Sequence, residues 1–171
     1  MARSGMTLVG DWSKALAHLG DLGGRITREL GQATARLAVE APGDVREAMA
    51  RATTPALHPF TVEQKGSTVP LVGGALERAV VARVEPGGLG VWVGVPAGTE
   101  LSMIARVQEF GYTMQVTDRQ RAYLHHQGLH LSPDTLYLVI PPRPFLRPGL
   151  AQVRARARRL YREALARALR G

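Results

Sequence analysis

The chain of 171 residues contains no cysteine. That absence excludes a disulfide framework, a thiolate metal site and every cysteine-based redox pattern. Cysteine usage therefore assigns no redox compartment. Lysine is almost missing too: of 22 basic residues, only Lys14 and Lys65 are not arginine. A GC-rich genome and a need for bidentate contacts would both produce that bias. No apolar run approaches the roughly 18 residues of a membrane span. The N-terminal MARSGMTLVGDW also lacks the long apolar region of a signal peptide. The expectation is a soluble protein made in the cytoplasm, with no membrane partner.

Catalytic patterns are equally scarce. GGLGVWVG at 87–94 has neither the G-x-G-x-x-G spacing nor the lysine of a phosphate loop, and reads as a hairpin turn. His125, His126 and His130 invite a metal reading, but adjacent helical residues point about 100° apart and no H-E-x-x-H pattern occurs. Ser4, Ser13, Ser67, Ser102 and Ser132 sit in no nucleophile elbow. Neither an enzymatic activity, a cofactor nor a metal is expected.

With 45% hydrophobic residues the chain can bury one core, and it is too short to favour two. Its net charge of +8 is entirely local. Residues 1–142 balance thirteen basic against thirteen acidic side chains, whereas residues 143–171 set nine arginines against Glu163 alone. The divide falls at IPPRPFLRPG, residues 140–149, where Pro141, Pro142 and Pro144 stop both strand and helix. The segment reads as a stiff extended connector into a basic C-terminal helix.

Periodicity supplies the rest of the fold expectation, an α+β domain of one unit. Trp12, Leu16, Leu19, Leu22, Ile26, Leu30, Ala33 and Leu37 share a helical face in a helical region over 1–52. Gly20, Gly23 and Gly24 predict two helices there or one bent helix. Pro42-Gly43 predicts its end, with Asp44 and Glu47 capping a further short helix. Residues 53–72 read as a long proline-containing loop, and 73–148 as an α+β core with a small, mainly antiparallel sheet flanked by helices.

Within that core, GALERAV predicts a helical turn, and VVARV, EPGG and LGVWVGV a hairpin. A short helix closed by Gly111 comes next, then the strand YTMQV. Thr117 and Gln120 cap a helix that stops at Gly128, and TLYLVI places Leu136, Leu138 and Ile140 on one face. The basic helix, 149–171, carries an apolar stripe of Val153, Ala157, Leu160, Ala164 and Ala168. Arg154, Arg158, Arg162 and Arg167 form a ridge that a polyanion could follow, that solvent could cover, or that an acidic protein could meet. No helix-turn-helix, zinc finger or aromatic stacking set accompanies the charge.

The order ARVQEFGYTMQVT, RAYLHHQGLHL, LVIPPRPFLRPGL resembles the phage virion morphogenesis family, the tail-completion proteins of Mu-like phages. Glu109-Phe110-Gly111 matches that family's "hefG" motif, Pro142-Arg143-Pro144-Phe145-Leu146 its "iPaRPFL" motif, and KGSTVPLVGGAL its "K-s-x-PLv-tG-L" stretch. Gly73 and Gln108 depart from the usual residues. The resemblance covers roughly residues 50–150 and implies a structural virion protein at the head-tail junction. It further implies self-assembly, as a hexamer in the virion, and contact with tail-tube and head-connector proteins. A head-to-tail ring needs two different complementary patches per subunit. The candidate partner-binding residues are Arg143, Phe145 and Arg147 of the connector with Arg154, Arg158 and Arg162 of the helix. Phe145 reads either as a docking anchor or as a plug in its own core. On this reading nucleic-acid contact is weak; the other functional expectation is a DNA-binding accessory protein using the basic helix, with an affinity that falls steeply with salt.

Overall fold

Two long helices carry the architecture. A computed structural model describes residues 12–170; the N-terminal stretch read for a signal peptide, apart from Trp12, lies outside the described residues. Helix α1 runs over Trp12–Arg51, α2 over Pro59–Lys65 and α3 over Ala75–Arg78. Strands β1 (Val81–Val84) and β2 (Val91–Gly94) follow, then α4 (Glu100–Phe110), β3 (Tyr112–Gln115), α5 (Asp118–His126), β4 (Tyr137–Ile140) and α6 (Leu146–Arg170).

The expected α+β class is found, with the small sheet split into two antiparallel hairpins. In one, Val81 pairs with Gly94 and Val84 with Val91; in the other, Tyr112 pairs with Ile140 and Gln115 with Tyr137. Each hairpin leaves two unpaired edges.

Helix α1 is one helix of 40 residues that passes through Pro42 and Gly43. Neither the glycines nor the proline ends it. Proline inside a helix loses a hydrogen bond and costs about 3 kcal/mol. Here Leu37, Ala41, Val45, Ala48 and Met49 are buried on either side of Pro42, and that burial offsets the loss. Asp44 is consequently no cap. It lies in mid-helix, buried, and accepts two hydrogen bonds from Arg156, to Nε at 2.8 Å and to Nη2 at 2.6 Å. Glu40 accepts a third from Nη1 at 2.9 Å.

Helices α1 and α6 pack antiparallel, since Val45 meets Gly149, Asp44 meets Arg156, Thr34 meets Tyr161 and Glu29 meets Arg167. Small residues line the seam: Ala33, Ala41, Ala164 and Ala168 are all buried. The backbones approach so closely that a Cβ on Gly149 would lie 2.8 Å from Val45 Cα. The core forms two clusters along this seam. One joins Val45, Met49, Leu71, Leu76, Val80, Ala105 and Phe145; the other joins Ala33, Leu37, Ala41, Val153, Leu160 and Ala164, and Val93 of β2 packs against both.

The segment read as a loop over 53–72 contains α2. His58 Nδ1 accepts from the Phe60 amide, Pro59 opens the helix and Gly66 ends it in the left-handed conformation. Lys65 Nζ then donates to the carbonyls of Val69 and Pro70, at 2.6 and 2.7 Å. Burial lowers its pKa. The Thr117–Gln120 capping box forms as read. Leu138 and Ile140 are half-buried, whereas Leu136 lies before the strand and is exposed. Helix α6 starts at Leu146, three residues before the expected boundary, with Pro148 in its first turn where its missing amide costs nothing.

Candidate interaction surface

Glu109 sits at the end of α4, buried, and its carboxylate faces the first amides of α6. Oε2 accepts from Phe145 N and Leu146 N, both at 2.8 Å, and Oε1 from Arg147 N at 3.1 Å. A helix N-terminus leaves such amides without partners and carries partial positive charge, so a carboxylate is the fitting group. The Arg143 amide donates to the Gln108 carbonyl at 2.6 Å. Gly111, at φ +75°, lies so close to Ile140 and Pro142 that a Cβ there would meet both at 3.0 Å. Glu109-Phe110-Gly111 and Pro142-Arg143-Pro144-Phe145-Leu146, separated by three decades of sequence number, thus form one joint.

The joint decides where the connector residues go. Phe145 is fully buried in the core cluster with Met49 and Leu71. Arg143 is also buried; its Nε donates to the Pro55 carbonyl at 2.8 Å and its Nη2 to the Ala56 carbonyl at 3.1 Å. Desolvation lowers its pKa. Both residues therefore belong to the chain's own packing, which removes them from the set available to a partner. Arg147 stays outside, its side chain 74% exposed, with its guanidinium 5.2 Å from the Phe110 ring centroid.

On α6, Arg154, Arg158 and Arg162 are exposed and make no hydrogen bond or ion pair among the described residues. Spaced by four, they span about 12 Å along one ridge. Arg167 leaves this ridge, because it donates to Glu29 at 2.8 Å. Arg156, which no sequence pattern singled out, is the arginine that binds α1. Its neighbouring carboxylates raise its pKa further.

Charge is only part of the surface. From Phe110 to Pro142 no residue is fully buried, so the lobe of β3, α5 and β4 has no closed core of its own. Tyr112, Tyr123, Tyr137 and Val139 are more than half exposed there. Between α4 and β3 lies an open groove of about 1040 Å³, lined by Met103, Ile104, Val107, Phe110, Tyr112 and Met114 with Arg106 and Gln108. At the far end of α1, Trp12, Leu16 and Leu19 are also exposed. Side-chain apolarity at i, i+4 and i+7 was legible, but nothing in the sequence said that these side chains would be exposed. His125 and His130 stack edge to face with centroids 4.3 Å apart. Among the described residues no three His, Asp or Glu side chains gather at metal-binding range, and no helix is long and apolar enough to cross a membrane.

No protein-family model, curated protein or solved structure matches this chain.

Proposed function

We propose that the chain is a structural virion subunit that completes a phage tail at the head-tail junction, where identical copies form a ring. The observation that carries this reading is the lobe without a closed core. A two-stranded hairpin is marginal by itself, and contiguous exposed apolar surface on a folded protein marks an interface. Tyr137 and Val139 are exposed on one face of such a hairpin and Tyr112 on the other, with Phe110 exposed just before it at the end of α4, which fits a subunit built to be covered by neighbours. The joint of Glu109 with Phe145 and Leu146 supports the reading further, because it gives the two resemblance motifs a shared structural purpose: they aim α6.

The unpaired ridge of Arg154, Arg158 and Arg162 favours a second reading, a DNA-binding accessory protein. The two separate in solution. A ring subunit shows a mass of several copies by light scattering and weak DNA affinity at physiological salt. A monomer whose DNA affinity falls steeply with salt establishes the second reading instead.

A further inference from the structure

Helix α1 outruns its partner. The last ion pair between α1 and α6 among the described residues is Glu29–Arg167, and α6 ends at Arg170. Every side chain described from Trp12 to Asp21 is exposed. Trp12, Leu16 and Leu19, at 51, 67 and 62% exposure, form an apolar edge on this overhang. Side chains at i, i+4 and i+7 are the pattern by which an amphipathic helix enters an apolar groove.

The α4–β3 groove lies at the opposite end of the molecule. Its helix α4 is anchored through Ala105, which packs with Val45, Met49 and Phe145 near the C-terminal end of α1. From Leu19 to Met49 the helix rises about 45 Å. A continuous helix pinned along that length cannot bring its own first turns back to its own groove. The groove also has an unmet need: Gln108 Oε1 is buried without a hydrogen-bond partner, and the overhang brings a donor in the Trp12 indole N–H. Arg106 is exposed on the groove, whereas Asp21 at the base of the overhang already pairs with Arg25 at 3.3 Å, so charge does not decide the pairing.

We propose that the α1 overhang of one copy seats in the α4–β3 groove of a second copy, head to tail. Met103 supplies a flexible, adaptable wall for the incoming side chains. Such a contact joins two different faces, so it propagates and either closes into a ring or continues as a filament. The proposal deepens the ring reading, on which it rests, by naming the faces that meet.

The absence of native cysteine makes the test clean. Leu16→Cys and Met103→Cys are made as separate full-length proteins, checked by thermal melting, mixed and oxidised. The expected result is a cross-linked dimer in the mixture and none with either protein alone, together with loss of the assembled mass for Leu16→Glu/Leu19→Glu at unchanged melting temperature. A dimer of Leu16→Cys alone shows overhang against overhang and overturns the proposal. Assembled mass without the mixed cross-link, or assembly that survives the double glutamate change, overturns this pairing and leaves the ring reading standing. A protein that stays monomeric by light scattering and forms no cross-link removes both.

Discussion

The carboxylate of Glu109 holds the amide of Phe145 at 2.8 Å, and through it fixes the direction in which α6 leaves the connector. Three amides depend on that one side chain. Glu109→Ala leaves them without acceptors in a buried site, at a cost of about 3 kcal/mol. Glu109→Gln keeps one oxygen and turns its amide group towards a donor, so it recovers only part of the loss. Urea unfolding of the two variants checks the order; an alanine variant as stable as the parent would show that the cap holds nothing.

Phe145 has no exposed surface at all. Replacing it with alanine removes most of a core side chain and costs about 4 kcal/mol, which in a protein of this size lowers the melting temperature by roughly 8–16 °C. A docking anchor would behave oppositely, leaving melting unchanged and weakening assembly.

Gly149 and Gly43 separate two reasons for a glycine on these helices. At Gly149 a methyl would strike Val45 Cα at 2.8 Å, so Gly149→Ala forces α1 and α6 apart and costs about 1–3 kcal/mol. At Gly43 a methyl meets nothing within 4 Å. Gly43→Ala therefore improves helix propensity alone and stabilises by about 1 kcal/mol. Paired thermal melts should move in opposite directions.

Local chemistry made much of this legible in the sequence. The Thr117–Gln120 box, the Gly111 stop, the EPGG hairpin and the α6 stripe each depend on residues within a turn or two of one another, and each formed. One departure is local, since α2 carries its own start and stop at His58, Pro59 and Gly66; the others come where distant packing overrides local signals. Pro42-Gly43 reads as a stop, yet Ala41 and Val45 on either side of it are fully buried in the seam with α6. Asp44 reads as a cap because Glu47 follows at the right spacing, but its partner is Arg156, 112 residues away. Within the candidate site, Arg143 and Phe145 were visible as unusual residues. Their inward direction was not, since it is set by Pro55, Ala56 and Glu109 from other parts of the chain.

Glu40 ties stability to acid. The hydrogen bond from Arg36, with help from Arg156, holds its carboxyl below the ordinary value, against the opposing effect of burial. A folded-state pKa below the unfolded one gives stabilisation that is complete above the unfolded pKa of about 4.3 and lost as pH falls through the folded value. Denaturation measured from pH 6 down to pH 3 should therefore show declining stability below about pH 4.3, and Glu40→Gln should flatten part of that slope. An equally steep decline in the variant would assign the acid sensitivity to other carboxylates.

The arginines of α6 divide into two kinds that composition cannot distinguish. Arg156 donates to Asp44 and Glu40, and Asp44 is almost wholly buried. Arg156→Glu places a third carboxylate beside that pair and should destabilise the chain by about 3 kcal/mol. Arg154, Arg158 and Arg162 touch no carboxylate among the described residues, and their replacement by glutamate leaves Val153, Leu160 and Ala164 in the seam. Stability should then change by less than about 1 kcal/mol, while binding to an acidic partner or to DNA weakens. Melting temperature and partner binding, measured on both variants, decide the matter. If the triple variant unfolds like Arg156→Glu, the ridge belongs to the fold; if it melts normally and still joins its partners, those three arginines only keep the helix surface in water.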